Sequence, residues 1–328
     1  MMTLTLSMEN QLVELSVVLP VYNEEKNIRP LFERLEAALK KIGRSYEIIA
    51  VDDGSSDGSM IELRAVAAAD AHVQVVRFRV NAGQTAALSA GIERAHGAVI
   101  VTIDSDLEND PSDIARLLEK LDEGFDVVSG WRKNRWQGAL FTRKFPSMTA
   151  NWLISKLSGV ALHDYGCTLK AYRADVIKGV RLYGEMHRFI PAYAAWQGGK
   201  VTELPVSHAP RVHGVSKYGF GRMPRVLLDL IVIVFLHRYM NRPMHFFGGW
   251  GLASLFLGFL SGAAAIVLKV AHVKDFVATP LPVFSALLII VGIQLVMSGV
   301  LAEILMRTYY ESQGKRPYVV CETVGSKD

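Results

Sequence analysis

Through the first 130 residues, short apolar runs alternate with stretches of helical period. Residues 15–19, 46–51, 73–78, 98–103 and 126–129 are strand-length apolar segments that end in Pro, Asp, Asn or Gly-rich turns. Between them, 24–41, 57–70, 84–96 and 111–121 carry the composition and spacing of helices. This alternation predicts an α/β domain built on a mostly parallel sheet covered on both faces. Ligands of such sheets bind beyond the carboxyl ends of the strands. The polar residues at those ends are therefore the candidate site: Asn23 and Glu24, Asp52 and Asp53, Asn81, and Asp104 and Asp106.

The pattern changes twice further on. From Trp131 to Gly221 it is less regular, with basic and aromatic residues mixed, and is read as shaping the acceptor side. Residues 222–242 place Val226, Leu227, Leu230, Ile231, Val234 and Phe235 among Arg222, Arg225, Asp229, His237 and Arg238. That is the composition of an amphipathic helix in a membrane interface, with a buried core helix as the competing reading. Within 243–306, two stretches, about 246–268 and 281–302, contain no charged residue. Each is long enough to cross a hydrocarbon core of about 30 Å. Arg222, Arg225, Arg238 and Arg242 precede the first stretch, and Arg307, Lys315 and Arg316 follow the second. The loop between them carries only Lys269, Lys274 and Asp275. The positive-inside bias therefore predicts a multi-pass hairpin in the cell (inner) membrane, with the domain 1–221, the tail 307–328 and both termini cytoplasmic.

Composition adds little to this picture. The net charge of +4 is mild and does not call for nucleic acid as a partner. The two cysteines, Cys167 and Cys321, lie far apart without metal-ligand spacing, as expected of reduced cytoplasmic thiols. No basic n-region marks the start as a secretory signal. Gly248, Gly249, Gly251, Gly258 and Gly262 would allow close helix packing, within one chain or in a homo-oligomer.

The candidate chemistry centres on Asp104-Ser105-Asp106, after the run 98–103. In an extended segment both carboxylates would face the same side and repel, unless a cation compensates them. Mg²⁺ or Mn²⁺ bridging to a diphosphate would do so, and Glu108 is placed to complete the set. A solvated surface loop is the bland alternative. Val51-Asp52-Asp53-Gly54-Ser55-Ser56-Asp57 joins a strand end to a helix start. Asp57 reads as a helix cap, and the doubled aspartate exceeds what a cap requires.

These segments, together with Pro20-Val21-Tyr22-Asn23-Glu24-Glu25 and Asn81-Ala82-Gly83-Gln84, resemble the successive motifs of family 2 glycosyltransferases of the GT-A fold. Two later segments resemble the dolichol-phosphate mannose synthase-like branch: Arg211-Val212-His213-Gly214-Val215-Ser216-Lys217-Tyr218, and the stretch from Asp164 to Arg173. The tail, with Tyr310-Glu311 and Arg316-Pro317-Tyr318, is similar to that of bacterial GtrB-type polyprenyl-phosphate glucosyltransferases.

The resemblance implies a Rossmann-like GT-A domain that transfers a sugar, with inversion, from a nucleotide sugar to polyprenyl (undecaprenyl) phosphate. UDP-glucose is the expected donor, with GDP-mannose or a UDP-aminoarabinose type as alternatives. It implies donor contacts at Pro20, Tyr22, Glu24, Val51, Asp52, Asp53, Gly83, Gln84 and Ser105. Asp104 and Asp106 take the metal and diphosphate positions, with Glu108 departing from the glutamine of many relatives. Arg132, Ser147, Arg211 and Lys217 take phosphate or acceptor positions, and Asp164 orients the acceptor or assists catalysis, unless it is only a turn residue. Lys170 and Arg173 are structural or line the acceptor cleft. The basic run from Arg132 to Arg135, with Arg143 and Lys144, is alternatively a face for anionic lipids. A processive polysaccharide synthase would carry Q-x-x-R-W, and Gln197 is followed by Gly198-Gly199-Lys200 instead. A silent scaffold or flippase is disfavoured by the intact carboxylates.

Overall fold

The computed structural model describes residues 13–133, 151, 154–156, 158–178, 180, 186–209, 235, 239 and 243–312. They belong to two compact units, Met1–Leu230 and Ile231–Asp328.

In the first unit, β1 (Leu15–Val21), β2 (Tyr46–Asp52), β3 (Val73–Arg77), β4 (Val99–Thr102) and β5 (Val127–Trp131) alternate with α1 (Glu25–Ile42), α2 (Ser59–Ala69), α3 (Gln84–Arg94) and α4 (Asp113–Asp122). β6 (Lys170–Arg173), a short α5 (Ala174–Ile177), a 3₁₀ turn (Met186–Phe189), α6 (Ile190–Trp196) and β7 (Val201–Pro205) complete it. Strand period two explains the layering: Leu15, Val17, Leu19 and Val21 pack with Ile28, Leu35, Ile114 and Leu117 of α1 and α4. Val18 on the opposite face joins Ala87, Leu88 and Ile92 of α3. A sheet buried on both sides needs near-continuous apolar strands, and β1 is buried throughout.

The strand order is β3-β2-β1-β4-β6-β5-β7. β1 pairs in parallel with both β2 and β4, so the order reverses beside β1. The crevice at the carboxyl ends of β1 and β4 is the topological switch point, where open α/β sheets bind ligands. The five strands read from the sequence are all present. β6 and β7 are additions, both from the region of irregular pattern. β6 runs antiparallel between β4 and β5, and β7 is an edge strand parallel to β5.

The second unit contains α7 (Pro243–Val270), a 3₁₀ turn (Phe276–Ala278) and α8 (Leu281–Ser312). They cover both predicted spans and run beyond them. Only 22% of the apolar stretch of α7 and 11% of that of α8 is buried, so they are not core helices of this unit. The pair is antiparallel and close: a Cβ on Gly251 would stand 2.9 Å from Gly292 O, and one on Gly258 2.8 Å from Ile289 Cγ1. The interfacial helix expected over 222–242 lies outside the described residues except for Phe235 and Tyr239. Both belong to a ring cluster with Phe246, at 5.4 and 4.8 Å between centroids. The tail beyond residue 312 also lies outside the described residues.

Candidate active site

Three strand ends form the rim of the switch point, and side chains tie them together. β1 leads into Asn23, whose positive φ of 52° asparagine tolerates. Asn23 N–H donates to Ser55 Oγ at 3.0 Å, and its Oδ1 accepts from Ser56 N–H at 2.8 Å. Ser105 Oγ donates to Pro20 O at 2.9 Å and joins the end of β4 to β1. Glu24 stands at the N-cap position of α1 without a side-chain capping bond, donating its N–H to Ser59 Oγ at 2.8 Å and accepting from Asn27 Nδ2 at 2.6 Å. Asp57 accepts from the N–H of Ser59 at 3.0 Å and of Glu25 at 3.2 Å. It therefore holds the starts of α2 and α1 from one residue before the N-cap, which is Gly58 and not Asp57 as the sequence suggested. Pro20 and Val51 are buried in their strands, and Tyr22 is half-buried at the rim.

The two aspartates after β2 divide their work. Asp52 is fully buried; its Oδ1 accepts from Ser55 N–H at 3.1 Å, and its Oδ2 lies 3.4 Å from Arg77 Nε without hydrogen-bond alignment. Asp53 clasps the loop before α3: Oδ1 accepts from Ala82 N–H at 2.7 Å, and Oδ2 from Gly83 N–H and Asn81 Nδ2, both at 2.9 Å. Burial pushes its carboxyl up, against the pull of those two N–H donors. Gly83, at φ +93°, turns the chain into α3. Gln84 then opens the helix and donates Nε2 to Asp104 Oδ1 at 2.7 Å.

Asp104 is pushed up to about 6, first by burial and then by the charge of Asp106, while Thr168 and Arg132 pull it down. The Asp106 carboxylate beside it makes this a place for added positive charge. The extended geometry expected for Asp104-Ser105-Asp106 is not what forms. The chain bends over Ser105–Leu107, with Leu107 at φ +62°, and Asp106 Oδ1 accepts from Glu108 N–H at 3.1 Å. The bend breaks the strand alternation that the same-side argument relied on. Among the described residues no group of three acidic, His or Cys side chains is arranged to hold a metal, so Glu108 does not complete a preformed set. Asp104 and Asp106 nonetheless fit Mg²⁺ or Mn²⁺, because Mg²⁺ is commonly bound by one or two carboxylates plus substrate phosphates.

Behind Asp104 lies a buried ion pair. Arg132 Nε and Nη2 donate to the two oxygens of Asp164 at 2.8 and 3.1 Å, and Gly166 N–H donates to Asp164 Oδ1 at 3.0 Å. Burial opposes the Arg132 charge, but Asp164, Cys167 and Asp104 hold its pKa above the ordinary value. Lys170 Nζ, also buried, donates to the carbonyls of Tyr165 at 3.3 Å and of Cys167; burial pulls it down to about 8. Arg173 donates to the carbonyl of Leu121 in the last turn of α4 at 3.1 Å and to that of Phe125, just past it, at 3.2 Å. Both side chains thus engage backbone. Ser147, Arg211 and Lys217, with Arg135, Arg143 and Lys144, lie outside the described residues. Sequence reasoning missed Thr168, and it missed the Thr85 Oγ1–His187 Nδ1 contact of 2.6 Å that pins the 3₁₀ turn Met186–Phe189 to α3.

A mostly parallel sheet with a carboxylate pair at its switch point is the arrangement of the GT-A glycosyltransferases. Residues 16–181 match the sequence profile of glycosyl transferase family 2, and the chain belongs to that family. It is 44% identical over 317 residues to the dodecaprenyl-phosphate galacturonate synthase of Rhizobium johnstonii, covering 94% of this chain and 93% of that one. It is 37% identical over 313 residues to the undecaprenyl-phosphate 4-deoxy-4-formamido-L-arabinose transferase of Klebsiella pneumoniae, covering 95% and 94%. Among solved structures, glucosyl-3-phosphoglycerate synthase of Mycobacterium tuberculosis, in complex with Mn²⁺ and UDP-glucose, shares the fold. Its TM-score is 0.53 at 19% identity, over 67% of this chain and 78% of that one. Neither of the two sequence relatives is named for glucose.

Proposed function

We propose that this glycosyltransferase moves a sugar, with inversion, from a UDP-sugar to a polyprenyl phosphate at the cytoplasmic face of a membrane. The observation that carries the reading is the Asp104/Asp106 pair at the switch point, on a chain that also carries two bilayer-length helices. The two relatives aligned over nearly the whole chain, both named for polyprenyl-phosphate acceptors, support the choice of acceptor. They also shift the choice of sugar. Galacturonate becomes the first candidate and a formamido-arabinose the second, ahead of the glucose expected from the motifs.

A cation held by Asp104 and Asp106 would supply positive charge against the departing nucleotide diphosphate. The chain's own residues do the rest. Gln84 and Thr168 orient Asp104, and Asp164 holds Arg132 beside it. Arg132, with Arg211 and Lys217, would bring two phosphorylated substrates together against their mutual repulsion. The acceptor oxygen belongs to a phosphate whose second pKa is about 6, so it is largely ionised at neutral pH and needs no strong base. It attacks the anomeric carbon directly as the bond to the diphosphate breaks. A long prenyl chain gains about 0.8 kcal/mol per buried CH₂ and does not leave the bilayer. The hairpin brings the enzyme to it.

The test incubates the purified full-length chain with undecaprenyl phosphate, Mg²⁺ or Mn²⁺, and in parallel labelled UDP-galacturonate, UDP-4-deoxy-4-formamido-L-arabinose, UDP-glucose and GDP-mannose. Cation-dependent label in the organic phase from a UDP-sugar supports the reading and names the sugar. Label in insoluble polymer would point to a processive synthase. Transfer that survives both chelation and Asp104→Ala would remove the cation from the proposal.

A further inference from the structure

Beyond Pro205 the chain leaves the edge strand β7 and runs along the rim of the switch point. Three parts of the domain hold it there. Val206 N–H donates to Trp131 O, at the end of β5, at 3.0 Å. The Val206 side chain is buried over Gly130, where a Cβ would stand 3.1 Å from Val206 Cγ2. Ser207 N–H donates to Asp113 Oδ2, in the first turn of α4, at 2.6 Å. His208 forms an antiparallel bridge with Asn109, and Ala209 N–H donates to Glu108 O at 2.9 Å. Asn109 is itself buried, with its Nδ2 3.8 Å from Cys167 Sγ. In strand order β7 and β4 stand three places apart, so this short segment ties the sheet edge to the loop that carries the carboxylate pair.

The needs of α4 do not account for Asp113. Its side chain is buried, and both oxygens are used, since Oδ1 accepts from Arg116 Nη1 at 2.7 Å. A carboxylate is buried only where charge and hydrogen bonds compensate it. A first-turn carboxylate serves the helix dipole equally well from solvent, and the N-cap position is Ser112. Drawn inside, Asp113 instead fastens a backbone N–H of the segment 206–209. Ser207 and Ala209 are exposed, so beyond Val206 hydrogen bonds rather than apolar burial hold that segment.

Glu108 stands between this segment and the carboxylate pair. Its N–H donates to Asp106 Oδ1 at 3.1 Å, and its carbonyl accepts from Ala209. Arg211 follows Ala209 by two residues, a reach of at most about 7 Å. We propose that Asp113 is a positioning residue for the acceptor. By holding Ser207 it seats residues 208 and 209 on the loop beside Asp106, and so delivers the basic segment 211–217 to the cation side of the crevice. The role rests on the assignment of Arg211 and Lys217 to the acceptor phosphate. The donor rim is joined by other bonds, those of Asn23, Asp53 and Ser105, so loss of Asp113 acts on the acceptor alone.

The experiment measures transfer by the full-length chain in detergent, varying undecaprenyl phosphate and the UDP-sugar separately, with UDP binding followed by calorimetry. Asp113→Ala should raise the KM for undecaprenyl phosphate roughly ten- to a hundredfold, while the KM for the UDP-sugar and the affinity for UDP stay as in the parent. Asp113→Asn keeps an oxygen that accepts from Ser207 and should recover most of the acceptor affinity, and Arg116→Ala should leave it unchanged. Hydrogen exchange needs no turnover: the Ser207 and Ala209 amides should exchange faster in Asp113→Ala, and those of β1 and β4 should not. Ser207→Pro removes the same N–H from an exposed position and repeats the test if Asp113→Ala does not fold. An unchanged acceptor KM, or a rise shared equally by donor and acceptor, would overturn the role. A parent that transfers to no polyprenyl phosphate refutes the acceptor reading and this role with it, whereas transfer with an indifferent acceptor KM refutes only the role of Asp113.

Discussion

Asp164 is either a group that acts on substrate or the counter-ion that holds Arg132 in place, and its removal separates the two. The Arg132 and Asp164 side chains are 4% and 12% exposed, and the pair is bidentate. Deleting one member of a buried pair leaves the other charge uncompensated, which costs about 3–5 kcal/mol. In a domain of this size each kcal/mol moves the melting temperature by about 2–4 °C. Asp164→Ala should therefore lower it by roughly 6–20 °C. The loss falls on Arg132 first and on Gly166 N–H second. Replacing both charges, as Arg132→Met with Asp164→Leu, should recover most of that stability, because an apolar pair of similar volume carries no stranded charge. The double variant should still be inactive, having lost the guanidinium.

Thermal unfolding of the detergent-solubilised chain, followed beside transfer to polyprenyl phosphate, reads both effects. The positioning role predicts that stability falls with Asp164→Ala and returns with the double replacement. If Asp164→Ala melted within about 2 °C of the parent while transfer fell a thousandfold, Asp164 would be acting on substrate and this reasoning would be refuted.

The Gln84 Nε2 bond to Asp104 makes a sharper statement about the cation. Gln84→Leu should raise the Mg²⁺ needed for half-maximal transfer by about ten- to a hundredfold, with little change at saturation; an unchanged Mg²⁺ titration would dissociate Gln84 from the cation. Asp104, raised from 3.8 to about 6, binds its proton more tightly folded than unfolded. Without divalent cation the chain should thus lose stability as pH rises from about 4 through 6, and saturating Mg²⁺ should flatten the slope; parallel melting curves with and without Mg²⁺ would count against cation binding there. In the hairpin, a Cβ on Gly292 would lie 2.7 Å from Leu255 Cγ, whereas one on Gly249 meets nothing within 4 Å. Gly292→Leu should cost about 1–3 kcal/mol and expose the hairpin to protease, and Gly249→Leu should not.

What could be read from the sequence was whatever depends on local pattern. Each strand buried on both faces is an apolar run, so β1 through β5 were legible, as were the helices between them. β6 was not, because Lys170-Ala171-Tyr172-Arg173 begins and ends in charge. Lys170 is tolerated there only because two carbonyls of its own loop receive its ammonium group. Missing β6 also hid Thr168. In the β4–β6 register Thr102 stands opposite Lys170, and continuing that antiparallel register by two residues puts Asp104 opposite Thr168. No local signal marks a threonine that becomes relevant through a strand pairing far away along the chain. The carboxylate pair was legible as chemistry, but its bend was not, since a positive φ at a leucine is set by surroundings rather than by propensity.

The doubled aspartate shows how far a motif can be divided. Asp53 was read with Asp52 as a donor contact, yet both of its oxygens are engaged with the loop Asn81–Gly83. That loop sets where α3 begins, the first residue of α3 is Gln84, and Gln84 holds Asp104. The end of β2 is thereby connected to the end of β4 by bonded groups, while Ser105 and Asn23 close the remaining gaps to β1 and β2. Parallel strands bond to each other only along their ladders and leave their carboxyl ends as separate loops. Here the acidic and hydroxyl side chains beyond the ladder do that joining. A rim tied in this way can hold two repelling carboxylates side by side before any ligand arrives, so that binding need not order the site that receives it.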